Sequence, residues 1–211
     1  RGLAGAGSLG TLDLDAWRRL MVPAGGTEAG RPLPWSMLAL RANVLNAFGQ
    51  RFSNLTLQAM VRDGIWQARV ESREMNGDLF WRDGERGRLQ ARLRNLSLAE
   101  VRSTPAANPP AEAVDTPPQE LPGLDVVAEN FSLRGKPLGK LELVAVNRGN
   151  LWQIDRFSII NGDGGVTGEG QWHMADGGSR TSETQIAFKL QSPNVGKMLE
   201  RLGYEDAVRR G

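Results

Sequence analysis

The stretch at residues 149–172, GNLWQIDRFSIINGDGGVTGEGQW, carries the chain's densest set of groups able to hold an ion. Asn161 and Asp163 offer oxygens, and the glycines around them let backbone amides converge, which is what a phosphate cradle or a calcium loop requires. The same residues also make a β-hairpin corner, where Asn and Gly accept positive φ without any ligand. The equivalent place in the first half, EMNGD at 74–78, has no glycine cluster, and insertions gather at surface turns. The hairpin is therefore the expected structure. Beyond it, Val166, Gly168, Gly170 and Trp172 share one face, the glycines leaving room for large neighbours.

Other groups lead no further towards catalysis. GAGSLG at residues 5–10 matches a dinucleotide fingerprint in letters, but that motif needs a strand before it and a long helix after it. His173 is the single histidine and there is no cysteine, so multi-histidine metal sites, thiolate nucleophiles and disulfides are excluded. The acid pairs Asp13/Asp15 and Glu205/Asp206 suit helix caps and solvated ends better than a general acid and base. Arg69, Arg88, Arg92 and Arg94 sit in the outward phase of alternating segments, with Glu71, Asp83 and Glu85 nearby. Trp66, Trp81, Trp152 and Trp172 read as core or rim packing rather than a stacking platform. The expectation is no enzyme, no cofactor and no metal.

The elements that hold these residues are strands. Leu55, Leu57, Ala59 and Val61 alternate with Thr56, Gln58 and Met60; Leu89, Ala91 and Leu93 alternate with Gln90, Arg92 and Arg94; Ile186, Phe188 and Leu190 alternate with Ala187, Lys189 and Gln191. Period two puts one face in an apolar environment and the other in water. Short helices are expected at 12–21, capped by Asp13 or Asp15, and at 192–203, with Ser192 as cap and Gly203 as stop. Residues 103–121 are rich in proline and alanine and read as a loop or linker. With 40% hydrophobic and 24% charged residues the composition is that of a globular chain, and a net charge of +2 is too small to indicate nucleic acid. No window approaches the roughly 18 apolar residues of a membrane span, and the chain starts without methionine, so it reads as a piece of something longer whose anchor lies elsewhere.

The halves repeat. Gly49 falls on Gly135, Leu55 on Leu141, Leu57 on Leu143, Ala59 on Ala145 and Trp66 on Trp152, followed by Trp81 on Trp172 and Leu93 on Leu190 as turns lengthen. Residues 1–21 then read as the tail of a preceding repeat, 34–102 as a first β repeat unit and 122–211 as a second.

The second unit resembles the repeated unit of the AsmA-like proteins, specifically the YhdP type of Gram-negative bacteria. The likeness rests on Pro122 through Ala128, Leu138 to Leu143, Trp152, Gly170 to Trp172 and Phe188 to Gly203. The first unit fits more loosely, with Phe52-Ser53 where the family has Leu-Gly. The resemblance implies an inner-membrane-anchored protein crossing the periplasm as a curved sheet whose apolar groove conducts phospholipid. It implies acyl chains and neighbouring repeats as partners, and no nucleic acid. The expected fold is mainly β: a curved antiparallel sheet of two similar units, groove-like or sandwich-like, with two or three short helices. Candidate groove residues are Leu55, Leu57, Ala59, Leu141, Leu143, Ala145, Ile154, Ile186, Phe188 and Leu190. A structural or protein-binding module using the same strands is the rival reading.

Overall fold

The computed structural model describes residues 3–14, 35–47, 50–84, 87–99, 121–174, 182–193 and 196–197. They form one open sheet of eleven strands laid side by side in chain order. The strands are β1 (Leu3–Asp13), β2 (Trp35–Ala47), β3 (Gln50–Arg62), β4 (Ile65–Glu71), β5 (Met75–Arg82), β6 (Arg88–Leu98), β7 (Gly123–Leu133), β8 (Lys136–Asn147), β9 (Leu151–Asn161), β10 (Gly164–Met174) and β11 (Ser182–Gln191). Among the described residues each strand packs on its sheet neighbours and no second layer forms, so the sandwich alternative is not what this chain adopts.

The antiparallel expectation needs correcting at two junctions. β1 and β2 are parallel, as are β6 and β7, while every other pair is antiparallel. The intervals from Asp13 to Trp35 and from Leu98 to Gly123 exceed the roughly dozen residues that a return to the same end of the sheet requires. The remaining connections are tight. Asp63-Gly64 and Arg134-Gly135 both take positive φ at two successive residues, 53° and 74° in each case, the turn whose twist suits a two-residue hairpin.

NGDGG forms the β9/β10 corner, with Asn161 paired to Gly164. The Asn161 side chain accepts from the Asp163 N–H at 2.9 Å and donates to the Leu138 carbonyl at 2.7 Å. Of Asn161, Gly162, Gly164 and Gly165, the residues a positive-φ hairpin corner would use, only Gly164 adopts positive φ, at 146°. GAGSLG lies inside β1 as extended chain, which removes the dinucleotide loop. Leu14 and the pair Gly196-Lys197 are helical, and Leu12 and Asp13 belong to β1. The rest of the helices expected at 12–21 and 192–203, and the proline-rich residues 103–120, lie outside the described residues.

The sheet is curved, and its ladders show irregularities of the kind that bend strands. Register shifts fall between Asn76 and Gly77, between Ala128 and Phe131, between Val144 and Ala145, and between Gly168 and Gly170. A bulge inserts a residue on one strand, bends it and increases local twist. Glycine is required at two of these. A Cβ on Gly77 would lie 2.3 Å from the Arg92 carbonyl oxygen, and one on Gly168 would lie 2.7 Å from that of Ala187.

The two faces differ in chemistry. One polar-face row runs Gln58, Arg69, Asp78, Arg92, Val127, Glu142, Ser158, Thr167 and Lys189 from β3 to β11. Arg69 meets Asp78 at 3.1 Å, and Arg92 meets Asp125 at 2.8 Å across the parallel β6/β7 junction. The hydrogen bond from Arg92 holds the Asp125 carboxyl below its ordinary value of 3.8, against a smaller opposing cost of burial. A depressed folded value contributes stability above the unfolded value and loses it as pH falls through the folded one. Asp125→Asn is therefore expected to cost up to about 1 kcal/mol at neutral pH, limited by solvent screening. Urea titrations at pH 7 and pH 2 would check this, the difference from wild type vanishing at the lower pH.

Candidate functional site

The opposite face is apolar from edge to edge. One row of laterally paired residues runs Gly7, Leu40, Leu57, Val70, Gly77, Leu93, Ala128, Leu141, Ile159, Val166 and Leu190, one from each strand. The adjacent row runs Gly5, Leu38, Ala59, Ala68, Leu79, Ala91, Val126, Leu143, Phe157, Gly168 and Phe188. Neither row contains a polar side chain in eleven positions. A sheet that merely covered a core would need this only where something packs against it.

All ten candidate residues read from the sequence fall on this face. Pairing places Leu55, Leu57 and Ala59 on β3, Leu141, Leu143 and Ala145 on β8, Ile154 on β9 and Ile186, Phe188 and Leu190 on β11. They divide by burial. Leu55, Ala59, Leu141 and Ala145 are buried in the core, and Leu57, Leu143 and Ile154 are half-buried. Ile186 is 63% exposed and Phe188 75%. Leu55 and Leu141 belong to a cluster that also holds Val70, Ala91, Leu93, Ala128 and Phe131. Small residues there, Ala91 and Ala128 among them, let large neighbours close over them.

The tryptophans take a position that repeat matching alone does not reveal. Trp66 pairs with Trp81 across β4/β5, and Trp152 with Trp172 across β9/β10. Both pairs are half-buried on the apolar face and at the same long rim of the sheet. Each has a polar tether: Trp81 Nε1 donates to Asp83 at 2.6 Å, and Trp152 Nε1 donates to the Pro122 carbonyl at 3.0 Å. An apolar body with one satisfied N–H suits a boundary between greasy and wet surroundings. Gly87, at φ 67°, makes room for the Trp81 ring, which a Cβ there would meet at 2.3 Å.

The glycines of β10 face large residues on both sides, as expected. Gly168 lies between Phe157 and Phe188, and Gly170 between Ile154 and Ile186. In the first half Gly77 likewise pairs with a large residue, Leu93.

Sequence reasoning missed Leu38, Leu40, Ala68, Val70, Leu79, Val126, Phe157 and Ile159 as members of the rows. Alternation within SMLALR at 36–41 and RVE at 69–71 carried the signal, but fewer periods stood out there. His173 meets Glu183 at 3.5 Å on the exposed β10/β11 ladder. Among the described residues no group of three or more metal-ligating side chains converges, and no helix is long and apolar enough to cross a membrane.

Residues 1–211 match the family model described as YhdP protein. No curated protein and no solved structure matches the chain.

Proposed function

The chain belongs to the YhdP protein family, whose members are bacterial envelope proteins of the AsmA-like type, and on that premise we propose that it is a segment of a lipid-conducting bridge. Its apolar sheet face forms part of a groove that carries phospholipid acyl chains through the periplasm, between an inner membrane anchor outside these residues and the outer membrane. The observation that carries the proposal is the pair of unbroken apolar rows spanning all eleven strands. An acyl chain gains about 0.8 kcal/mol for each methylene it buries. Sliding along the open parts of these rows swaps one apolar contact for another, so no position there traps it. The tryptophan rim marks the boundary where chains enter shelter and headgroups stay wet.

The proposal extends to the architecture. β2–β6 and β7–β11 are two copies of one five-stranded unit, β1 is the last strand of a unit before them, and residues 103–121 join the two. The matching glycines Gly77 and Gly168, each excluded from carrying a Cβ by a neighbouring backbone, support that equivalence. Neighbouring units are the protein partners this arrangement calls for. Nucleic acid has no place in it, and a conduit of this kind needs neither catalysis nor cofactor.

Native mass spectrometry of the purified chain after detergent-free bacterial expression tests the reading. Co-purified phospholipid is expected on the wild type and at least tenfold less on the Ile186→Asp/Phe188→Asp variant, whose exposed positions leave the fold intact by circular dichroism. Lipid-free wild type, or equal lipid on both proteins, would move the account to a scaffold module that uses the same strands for binding protein.

A further inference from the structure

The wet face of the sheet departs from ordinary charge placement next to Trp81. Arg62, Ile65, Arg82 and Arg88 form one lateral row across β3 to β6, and Arg82 stands directly opposite Arg88. Like charges placed opposite each other on one face destabilise a strand pair. Among the described residues no carboxylate pairs with Arg82, and its neighbour Asp83 accepts from Trp81 instead. Arg88 lies 4.0 Å from Asp125, whose carboxylate Arg92 already holds at 2.8 Å. The one acid near the pair is therefore committed to a different arginine.

The ground between these arginines is not flat. Arg82, Arg88, Gln67 and Gln90 ring a recess of about 210 Å³ whose apolar lining is Ile65 and Phe80. Both apolar residues stand in the outward phase of their strands, where period two calls for polar side chains, and both are half-buried. Gln67, Phe80 and Gln90 are lateral neighbours, so an amide stands on either side of the phenyl ring. An apolar floor with a few convergent polar groups is the form of a small-molecule site. This one is smaller than the roughly 300 Å³ at which drug-sized sites begin, so it suits a small ester and not a nucleotide.

We propose that this recess binds a phosphate ester, its phosphate between Arg82 and Arg88 and its organic part against Phe80 and Ile65. Guanidinium groups offer paired N–H donors that match phosphate oxygens, and a bound anion removes the repulsion between the two arginines. Gln67 and Gln90 supply further donors for ester or hydroxyl oxygens. Asp125 lines the recess as well, and its charge directs the anion towards Arg82. The chemistry has two sources: a soluble phosphate ester, or a phospholipid headgroup reaching over the rim past Trp81. The recess lies on the opposite face from the apolar rows, and it stands whether or not those rows carry acyl chains.

The side-chain Nε–H signals of Arg82 and Arg88, followed by heteronuclear NMR on the whole chain at constant ionic strength, read the site directly. Glycerol phosphate is the soluble probe, and monomeric dihexanoyl phosphatidylglycerol is the lipid probe. Saturable shifts are expected at both arginines with at least one probe and not with chloride. Arg82→Gln should weaken that binding at least tenfold, read at the Arg88 signal, while melting no lower than wild type because a like charge is gone. Arg94→Gln removes the same charge from an exposed position on β6, about 20 Å from Arg88 at about 3.3 Å per residue, and should change Kd less than twofold. Lipid binding at least tenfold tighter than that of the soluble ester assigns the site to headgroups, and any smaller ratio assigns it to soluble esters. Absence of saturable shifts with both probes, or equal weakening by Arg94→Gln and Arg82→Gln, would overturn the proposal.

Discussion

Gly139→Val is expected to lower stability by about 3 to 4 kcal/mol, which for a chain of this size is a fall in Tm of roughly 6 to 16 °C. Two independent causes act there. Gly139 holds φ at 106°, which L side chains rarely adopt, and its Cβ would lie 2.2 Å from the Ile160 carbonyl oxygen on β9. The obstacle is backbone, so no rotamer change relieves it. Gly139 also stands opposite Phe131 at the irregular stretch of the β7/β8 ladder, so relief would require the β8 and β9 backbones to move apart. Gly64→Asn is the matched control. Gly64 has positive φ too, but open space around it, and asparagine tolerates that conformation, so its cost should stay below about 1 kcal/mol. Thermal unfolding of the two variants side by side separates a demand for space and curvature from a general preference for glycine in turns.

Ala128→Asp is expected to cost about 4 kcal/mol or more, because a carboxylate placed there has neither water nor a cationic partner. Ala128 is 0% exposed, with Leu93 and Leu141 paired to it on either side. Phe188→Asp puts the same charge on the same face and should change stability by no more than about 0.5 kcal/mol, since Phe188 is already mostly in water. Urea denaturation of both gives the contrast directly. Equal destabilisation would mean that the face is a uniform core; the expected inequality means that it grades from filled centre to open edge.

That gradient marks the limit of what the sequence conveyed. Alternation in β3 and β11 placed Leu55, Leu57, Ala59, Ile186, Phe188 and Leu190 on one face, because period two survives whatever packs on the strand, and the repeat match carried the same face to Leu141, Leu143 and Ala145 on β8. Leu93 and Phe188 nevertheless read alike while one is buried and the other exposed, since burial depends on whether another strand follows. The parallel junctions were also hidden. Direction is decided by where a long connection returns, and residues 103–121 carry no periodic signal that would say. The glycines were legible as sites of close approach in β10, but Gly77 was not, because a lone glycine between Asn76 and Asp78 looks like a turn until Leu93 is paired against it. The tryptophans were seen as repeat equivalents, and only the strand ladders made them cross-strand pairs at one rim.

The central claim is that acyl chains lie along the apolar face, and photolabelling places them most directly. A phospholipid with a diazirine near the middle of one acyl chain would be bound to the wild-type protein, irradiated, and its adducts mapped by peptide mass spectrometry. The account predicts adducts at the open part of the apolar rows, on Leu143, Ile154, Phe157, Ile186, Phe188 and Leu190, with little on Gln58, Arg69, Glu142, Thr167 and Lys189 of the polar row. Adducts spread evenly over both faces, or confined to the polar row, would contradict it.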